Sequence, residues 1–151
     1  MPAKKPKIAL KDSYLAMIKN AVRSNNFRGF YLIINGKKEE VTQSGRLSCA
    51  FFASSILYFF KLIKNPHLTV SGLQKDLEKS GWKTAKRPKA GAVLVWEQIV
   101  KNGSANRHVG FYLGNDKAIS NSAKERKPAM HHWTYNNKRK IETIYWNKKL
   151  D

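Results

Sequence analysis

Leu47-Ser48-Cys49-Ala50-Phe51-Phe52-Ala53-Ser54-Ser55-Ile56-Leu57-Tyr58-Phe59-Phe60 carries no charged residue before Lys61. The run covers 14 residues, short of the roughly 20 that a bilayer crossing needs, and three serines interrupt it. A segment apolar on nearly all sides but this short is the buried central helix of a globular domain, expected over 48–63. Asn65-Pro66 is expected to stop it, since the residue before a proline leaves the helical region. The chain's one cysteine, Cys49, stands at the start of this helix.

Upstream, Ile8, Leu10, Tyr14, Met17, Ile18, Ala21 and Val22 recur at near-helical spacing and predict a first helix over 8–24. Asn35-Gly36, between Phe30–Ile34 and a return strand through 39–42, is a two-residue hairpin signal. Downstream, Thr69–Lys79 reads as a third helix closed by Gly81. Short strands are expected over 92–96, 108–113, 117–121, 130–135 and 141–146, with a polar loop over 101–106 and a charged loop over 122–128. Helices first and strands after predict an α+β fold, with N-terminal helices packed on one side of an antiparallel β-sheet. No glycine-rich phosphate loop is present.

The 151 residues suit one domain, over 8–151, preceded by a basic arm over 1–7 that reads as disordered. Hydrophobic residues make up 42%, and four tryptophans, six tyrosines and seven phenylalanines outweigh the 26% charge as a sign of a packed core. The net charge of +19 implies an anionic partner: nucleic acid, anionic lipid, or a wall polymer bearing phosphate or carboxylate. A single cysteine excludes an intrachain disulfide and any zinc site built from cysteines. No apolar stretch precedes Ile8, so the N-terminus does not read as a secretory signal.

A thiol attacks carbonyls as its thiolate, and a free cysteine with a pKa of about 8.5 is mostly protonated at neutral pH. Cys49 in a first helical turn meets unpaired N–H groups and the positive end of the helix dipole, both of which favour an anion. His108, at the start of a strand, can supply the base. Neither the chemistry nor the composition calls for a cofactor or a metal. His131 and His132 compete with His108 but begin no comparable strand. His67, after the helix-stopping proline, reads as a surface loop residue.

Arg87-Pro88-Lys89-Ala90-Gly91-Ala92-Val93-Leu94-Val95-Trp96 resembles the Pro-x-x-Gly-Asp-Leu-Val-Phe-Trp strand of the NlpC-like and CHAP cell-wall hydrolases. His108-Val109-Gly110-Phe111-Tyr112-Leu113-Gly114 resembles their His-Val-Gly-Ile-Tyr-Leu-Gly strand, and Ser48-Cys49-Ala50 falls where they carry the cysteine helix. The resemblance spans about Gln43 to Asn121. It implies a papain-like fold, a Cys49–His108 catalytic pair and hydrolysis of amide bonds in peptidoglycan stem or cross-bridge peptides. The chain departs from the pattern at Ser48 and Ala92, where the NlpC-like branch usually has aspartate.

That branch carries its third catalytic residue twelve positions past the strand histidine, which falls on Ser120 here, beside Asn121. Strand alternation places the two on opposite faces, so one of them can orient His108. Ser120 matches the spacing. Asn121 is chemically the better orienter, because its amide oxygen can accept the imidazole N–H. Gln43, six positions before Cys49, matches the oxyanion-hole glutamine of papain-like proteases.

The expected protein is thus a monomeric cysteine hydrolase, made in the cytoplasm and acting at the bacterial cell envelope after non-classical delivery. An immunity or inhibitor protein is a further expected partner. Two other readings stay open. One is a basic nucleic-acid-binding module, although no recognised nucleic-acid motif accompanies the charge. The other is a thiol acyltransferase or protease on the same fold, acting on a non-wall substrate.

Overall fold

A computed structural model describes residues 2–101 and 103–151 of the chain. Met1 of the expected arm and Asn102 of the expected polar loop lie outside them. Residues 2–9 are exposed for most of their length and carry no regular structure.

Helix α1, Leu10–Asn20, buries Tyr14 and Ile18. It begins at Leu10, two residues later than the periodicity suggests, because Ile8 is 75% exposed and has no core to face. The Tyr14 hydroxyl crosses the core and donates to Gly91 O at 2.8 Å, tying the helix to the sheet. Strands β1, Tyr31–Ile34, and β2, Lys37–Glu40, form a separate hairpin. Asn35 at φ 49° and Gly36 at φ 79° close it with the left-handed pair that matches strand twist.

Helix α2, Cys49–Phe59, stops well before Pro66. Lys61 turns left-handed at φ 57°, Lys61 N–H donates to Tyr58 O and Leu62 N–H to Leu57 O, both at 2.9 Å. This is a Schellman end formed by the backbone itself, with lysine in the place glycine usually takes. Helix α3, Val70–Lys79, is capped by Thr69, whose Oγ1 accepts from Gly72 N–H at 3.1 Å. Gly81 ends it at φ 88° in the expected left-handed turn, with Trp82 N–H on Leu77 O.

Six further strands follow: β3 Lys83–Thr84, β4 Val93–Lys101, β5 Ser104–Gly114, β6 Lys117–Ser122, β7 Lys127–His132 and β8 Ile141–Trp146. They form one antiparallel sheet in the order β3-β8-β4-β5-β6-β7. The α+β class and the antiparallel sheet agree with the sequence reading. The polar loop expected over 101–106 is corrected: β4 and β5 run on through it, with Ile99 opposite Asn106 and Lys101 opposite Ser104. Backbone pairing there overrides the polar side chains. The charged loop shortens too, since β7 opens at Lys127 and holds Pro128 on an edge strand, where a missing N–H is tolerated.

The sheet is covered on both faces. On one, Val93, Val95, Val109, Phe111 and Ile119 pack with Phe52, Ala53, Ile56 and Leu57 of α2 and with α1 and α3. On the other, Leu94, Trp96 and Ala118 pack with Trp133 and Tyr135 from the turn after β7 and with Ile141 and Ile144 of the neighbouring strand β8. Period-2 alternation therefore sends Val109 and Phe111 to the helices, and His108 and Gly110 to the opposite face.

Gly110 is required by crowding. A Cβ there would lie 2.6 Å from Ile119 O and 2.7 Å from Ser120 Cβ. Gly110→Ala must push β5 from β6, and we expect a destabilisation of about 1–3 kcal/mol, read from the denaturation midpoint. An unchanged midpoint would mean the two strands part freely.

Candidate active site

Pairing between β5 and β6 runs out at Gly110 and Ser120, although β6 continues to Ser122 beside β7. Val109 and His108 thus have no partner on the β6 side. The loop leading into α2 occupies this place: Asn121 Nδ2 donates to Gly45 O at 2.7 Å. Gly45 itself is left-handed at φ 93°, and a Cβ there would collide with the Arg126 carbonyl. The tip of α2 is therefore set at the end of the sheet.

Cys49 is the first residue of α2 and is partly buried. Burial pushes its thiol above the ordinary range. The backbone N–H groups of Val109, Ala50 and Cys49, and the charge of Arg139, act the other way and favour the thiolate. The helix that Cys49 opens packs against β5, the strand that carries His108. Among the described residues no hydrogen bond joins the thiol to the imidazole. Ser48, the residue before the helix, is fully buried, and its Oγ has no hydrogen-bond partner.

His108 lies on the face away from α2. Its Nε2 meets Ser120 Oγ at 2.8 Å. The same hydroxyl meets His131 Nε2 at 2.7 Å and Tyr135 Oη at 3.1 Å. Trp96, fully buried and anchored by its indole N–H on Trp133 O at 2.7 Å, walls the cluster, with its ring 5.3 Å from His108 and 5.6 Å from His131. The His131 and Tyr135 rings stack at 4.0 Å. Burial, the nearby Arg139 charge and His131 push the His108 imidazole down to about 3, so it is neutral across the physiological range.

Tyr135 is held in place by a strained turn. Tyr135, Asn136 and Asn137 are left-handed in succession, at φ 53°, 56° and 66°. His132 Nδ1 organises the turn by accepting from Thr134 N–H at 3.2 Å and Asn136 N–H at 3.2 Å, with Thr134 Oγ1 at 2.9 Å. Arg139 then reaches back to Glu97 O, at 3.1 Å from Nε and 3.0 Å from Nη2, and to Asn106 O at 3.0 Å.

The structure brings His108 and Ser120 together and sets Cys49 beside Val109. It does not bring the other two residues to the imidazole. Asn121, 2% exposed, faces the helices, and its amide N–H holds Gly45, so its expected role as orienter of His108 is corrected to that of a loop anchor. The reason is the alternation that gives Ser120 the opposite face. Gln43, the expected oxyanion donor, sits in an exposed turn at φ 50°, and its amide oxygen accepts from Arg46. His67 is also corrected. It is partly buried, and its Nε2 donates to Asp76 Oδ2 at 2.6 Å.

Sequence reasoning missed Arg139 and Tyr135 and ranked His131 too low. Each reaches the site from beyond the resembling segment. No protein-family model matches the sequence, and no curated protein matches it. Among the described residues no helix is long and apolar enough to cross a membrane.

Proposed function

We propose that the chain is a papain-like cysteine hydrolase, a peptidase or amidase that opens amide bonds in peptidoglycan stem or cross-bridge peptides. One observation carries the reading. Cys49 opens a buried helix that packs beside β5, the strand that carries His108, and the His108 Nε2 is taken by Ser120.

In the proposed reaction His108 Nδ1 takes the Cys49 proton as the sulfur attacks the amide carbonyl carbon. The new C–S bond forms and the carbonyl π pair moves to oxygen. The N–H groups at the tip of α2 receive that oxyanion. The C–N bond then breaks, and the amine leaves with the proton from His108. Water, deprotonated by His108, attacks the thioester carbon and releases the acid and the thiol. The +19 charge holds the protein on the anionic envelope.

The test is digestion of purified peptidoglycan followed by mass spectrometry of the muropeptides. New amine and acid ends at one amide position are expected from the parent protein and none from Cys49→Ala. Equal clearing by both would end the reading.

The charge favours a second reading, a nucleic-acid-binding module. Its signature is DNA affinity with a sequence preference that persists in Cys49→Ala. Sequence-blind affinity that collapses with salt is only the background of such a charge.

A further inference from the structure

We propose that His131 is a positioning residue for His108: acting through the Ser120 hydroxyl, it holds the His108 imidazole in the Nε2–H form and leaves Nδ1 as the basic nitrogen. The catalytic consequence rests on the Cys–His reading above, whereas the tautomer follows from hydrogen-bond directions around a buried, neutral His131.

The chain of donors starts outside the site. His131 Nδ1 lies 2.8 Å from His132 O. A carbonyl oxygen only accepts, so Nδ1 carries a hydrogen. Burial keeps His131 neutral by lowering its imidazole from the ordinary value. Its Nε2 is then a bare lone pair, and the donor facing it is the Ser120 hydroxyl at 2.7 Å. A hydroxyl has one hydrogen, so toward His108 and Tyr135 Ser120 Oγ can only accept. Tyr135 O–H therefore donates to it at 3.1 Å, and so does His108 Nε2–H at 2.8 Å. The opposite arrangement would set the Ser120 and His131 lone pairs against each other at 2.7 Å inside a nearly sealed site, where Ser120 is 1% exposed. A neutral imidazole with Nε2 protonated presents Nδ1 as its base.

The lock makes an asymmetric prediction. His131→Phe keeps a ring beside Tyr135 and Trp96 but offers no acceptor. The Ser120 hydroxyl is then free to donate to His108 Nε2 and shift the ring toward Nδ1–H, the form without a base. His131→Gln offers an amide oxygen and restores the acceptor. Ser120→Ala removes the bridge altogether and serves as the second variant should His131→Phe fail to fold.

Long-range 1H–15N spectra of the imidazoles at pH 7 read the tautomers without any substrate. In the parent, His108 is expected with a protonated Nε2 and a bare Nδ1, and His131 with the reverse. In His131→Phe and in Ser120→Ala the His108 pattern becomes mixed or inverts, and it returns in His131→Gln. The initial rate on purified peptidoglycan falls about 10-fold in His131→Phe if about a tenth of the rings keep the competent form, and the glutamine variant recovers most of it. A protonated Nδ1 on His108 in the parent, or an unchanged His108 pattern in both disrupting variants, would overturn the lock. A parent that shows the expected tautomers but no turnover dependent on Cys49 would overturn the hydrolase reading alone.

Discussion

His108→Ala is expected to lower the initial rate of the proposed peptidoglycan hydrolysis by about 10²–10⁴-fold, the usual contribution of a positioned base, and Cys49→Ala to leave none of the thiol-dependent turnover. The resting protonation states put the loss at the low end of that range, since a base held near 3 lies far from the working pH. Burial holds the Cys49 thiol up, and burial with Arg139 holds His108 down at about 3, so at neutral pH both groups are uncharged. No thiolate–imidazolium pair waits preformed. The proton must pass to His108 during attack, and without the imidazole nothing receives it. Two pH readings check this. The acid limb of the rate profile, which an ordinary histidine would set near 6.5, is expected far lower, toward 3, because His108 stays a free base until then. Alkylation of Cys49 by iodoacetamide, which needs thiolate, is expected to be slow at neutral pH and to climb only above the ordinary thiol range. A flat, fast alkylation rate from pH 5 to pH 8 would reveal a standing ion pair and overturn this account.

Local features of this site were readable in the sequence, and long-range ones were not. The uncharged run 47–60 announced a buried helix with a cysteine at its tip because helix burial is a local pattern. The alternation in His108–Leu113 announced a strand for the same reason. The end of α2 was misread because Pro66 is a visible stop, whereas a left-handed Lys61 has no such mark. The choice between Ser120 and Asn121 turned on which face each takes. Amide chemistry pointed to Asn121, yet pairing of Gly110 with Ser120 gives Ser120 the His108 face. His131, Tyr135 and Arg139 were out of reach for another reason. Tyr135 and Arg139 sit in a turn whose shape depends on the His132 ring, and β7 must first pair with β6 before His131 comes near Ser120. Gly110 had a legible place in the His-Val-Gly resemblance, but its cause, the Ile119 carbonyl and the Ser120 Cβ on the facing strand, is a tertiary fact.

The largest loss of stability is expected from Asp76→Ala, at about 3–5 kcal/mol, the usual result of removing one partner from a buried charged network. Asp76 is 6% exposed. Its Oδ1 accepts from Lys64 N–H at 2.9 Å and from the Ser80 hydroxyl at 2.8 Å, and its Oδ2 from Asn65 N–H at 3.0 Å and His67 Nε2 at 2.6 Å. Ser54, inside α2, holds the same loop by accepting from His67 N–H at 2.8 Å and donating to His67 O at 3.0 Å. The carboxylate thus clasps the chain leaving α2 to α3, and through α2 it fixes where Cys49 stands. Asp76→Asn should not rescue, because half of its amide would turn N–H against N–H. Burial alone would raise the Asp76 carboxyl, but His67, Lys64, Ser80 and Asn65 outweigh it and hold it at about 2. A depressed carboxyl stabilises the fold above its unfolded value near 3.8, and that contribution disappears as the pH falls through about 2. His108 works in a different window. The unfolded chain takes its proton below about 6.5 and the folded one only near 3, so stability already declines between them. Urea denaturation from pH 7 to pH 2 separates the two. The gap between parent and Asp76→Ala should hold constant down to about pH 4 and then narrow by no more than about 2 kcal/mol, while the decline below 6.5 should persist in both. A loss under 1 kcal/mol at pH 7, or a gap that does not narrow between pH 4 and pH 2, would show that the clasp does not hold α2.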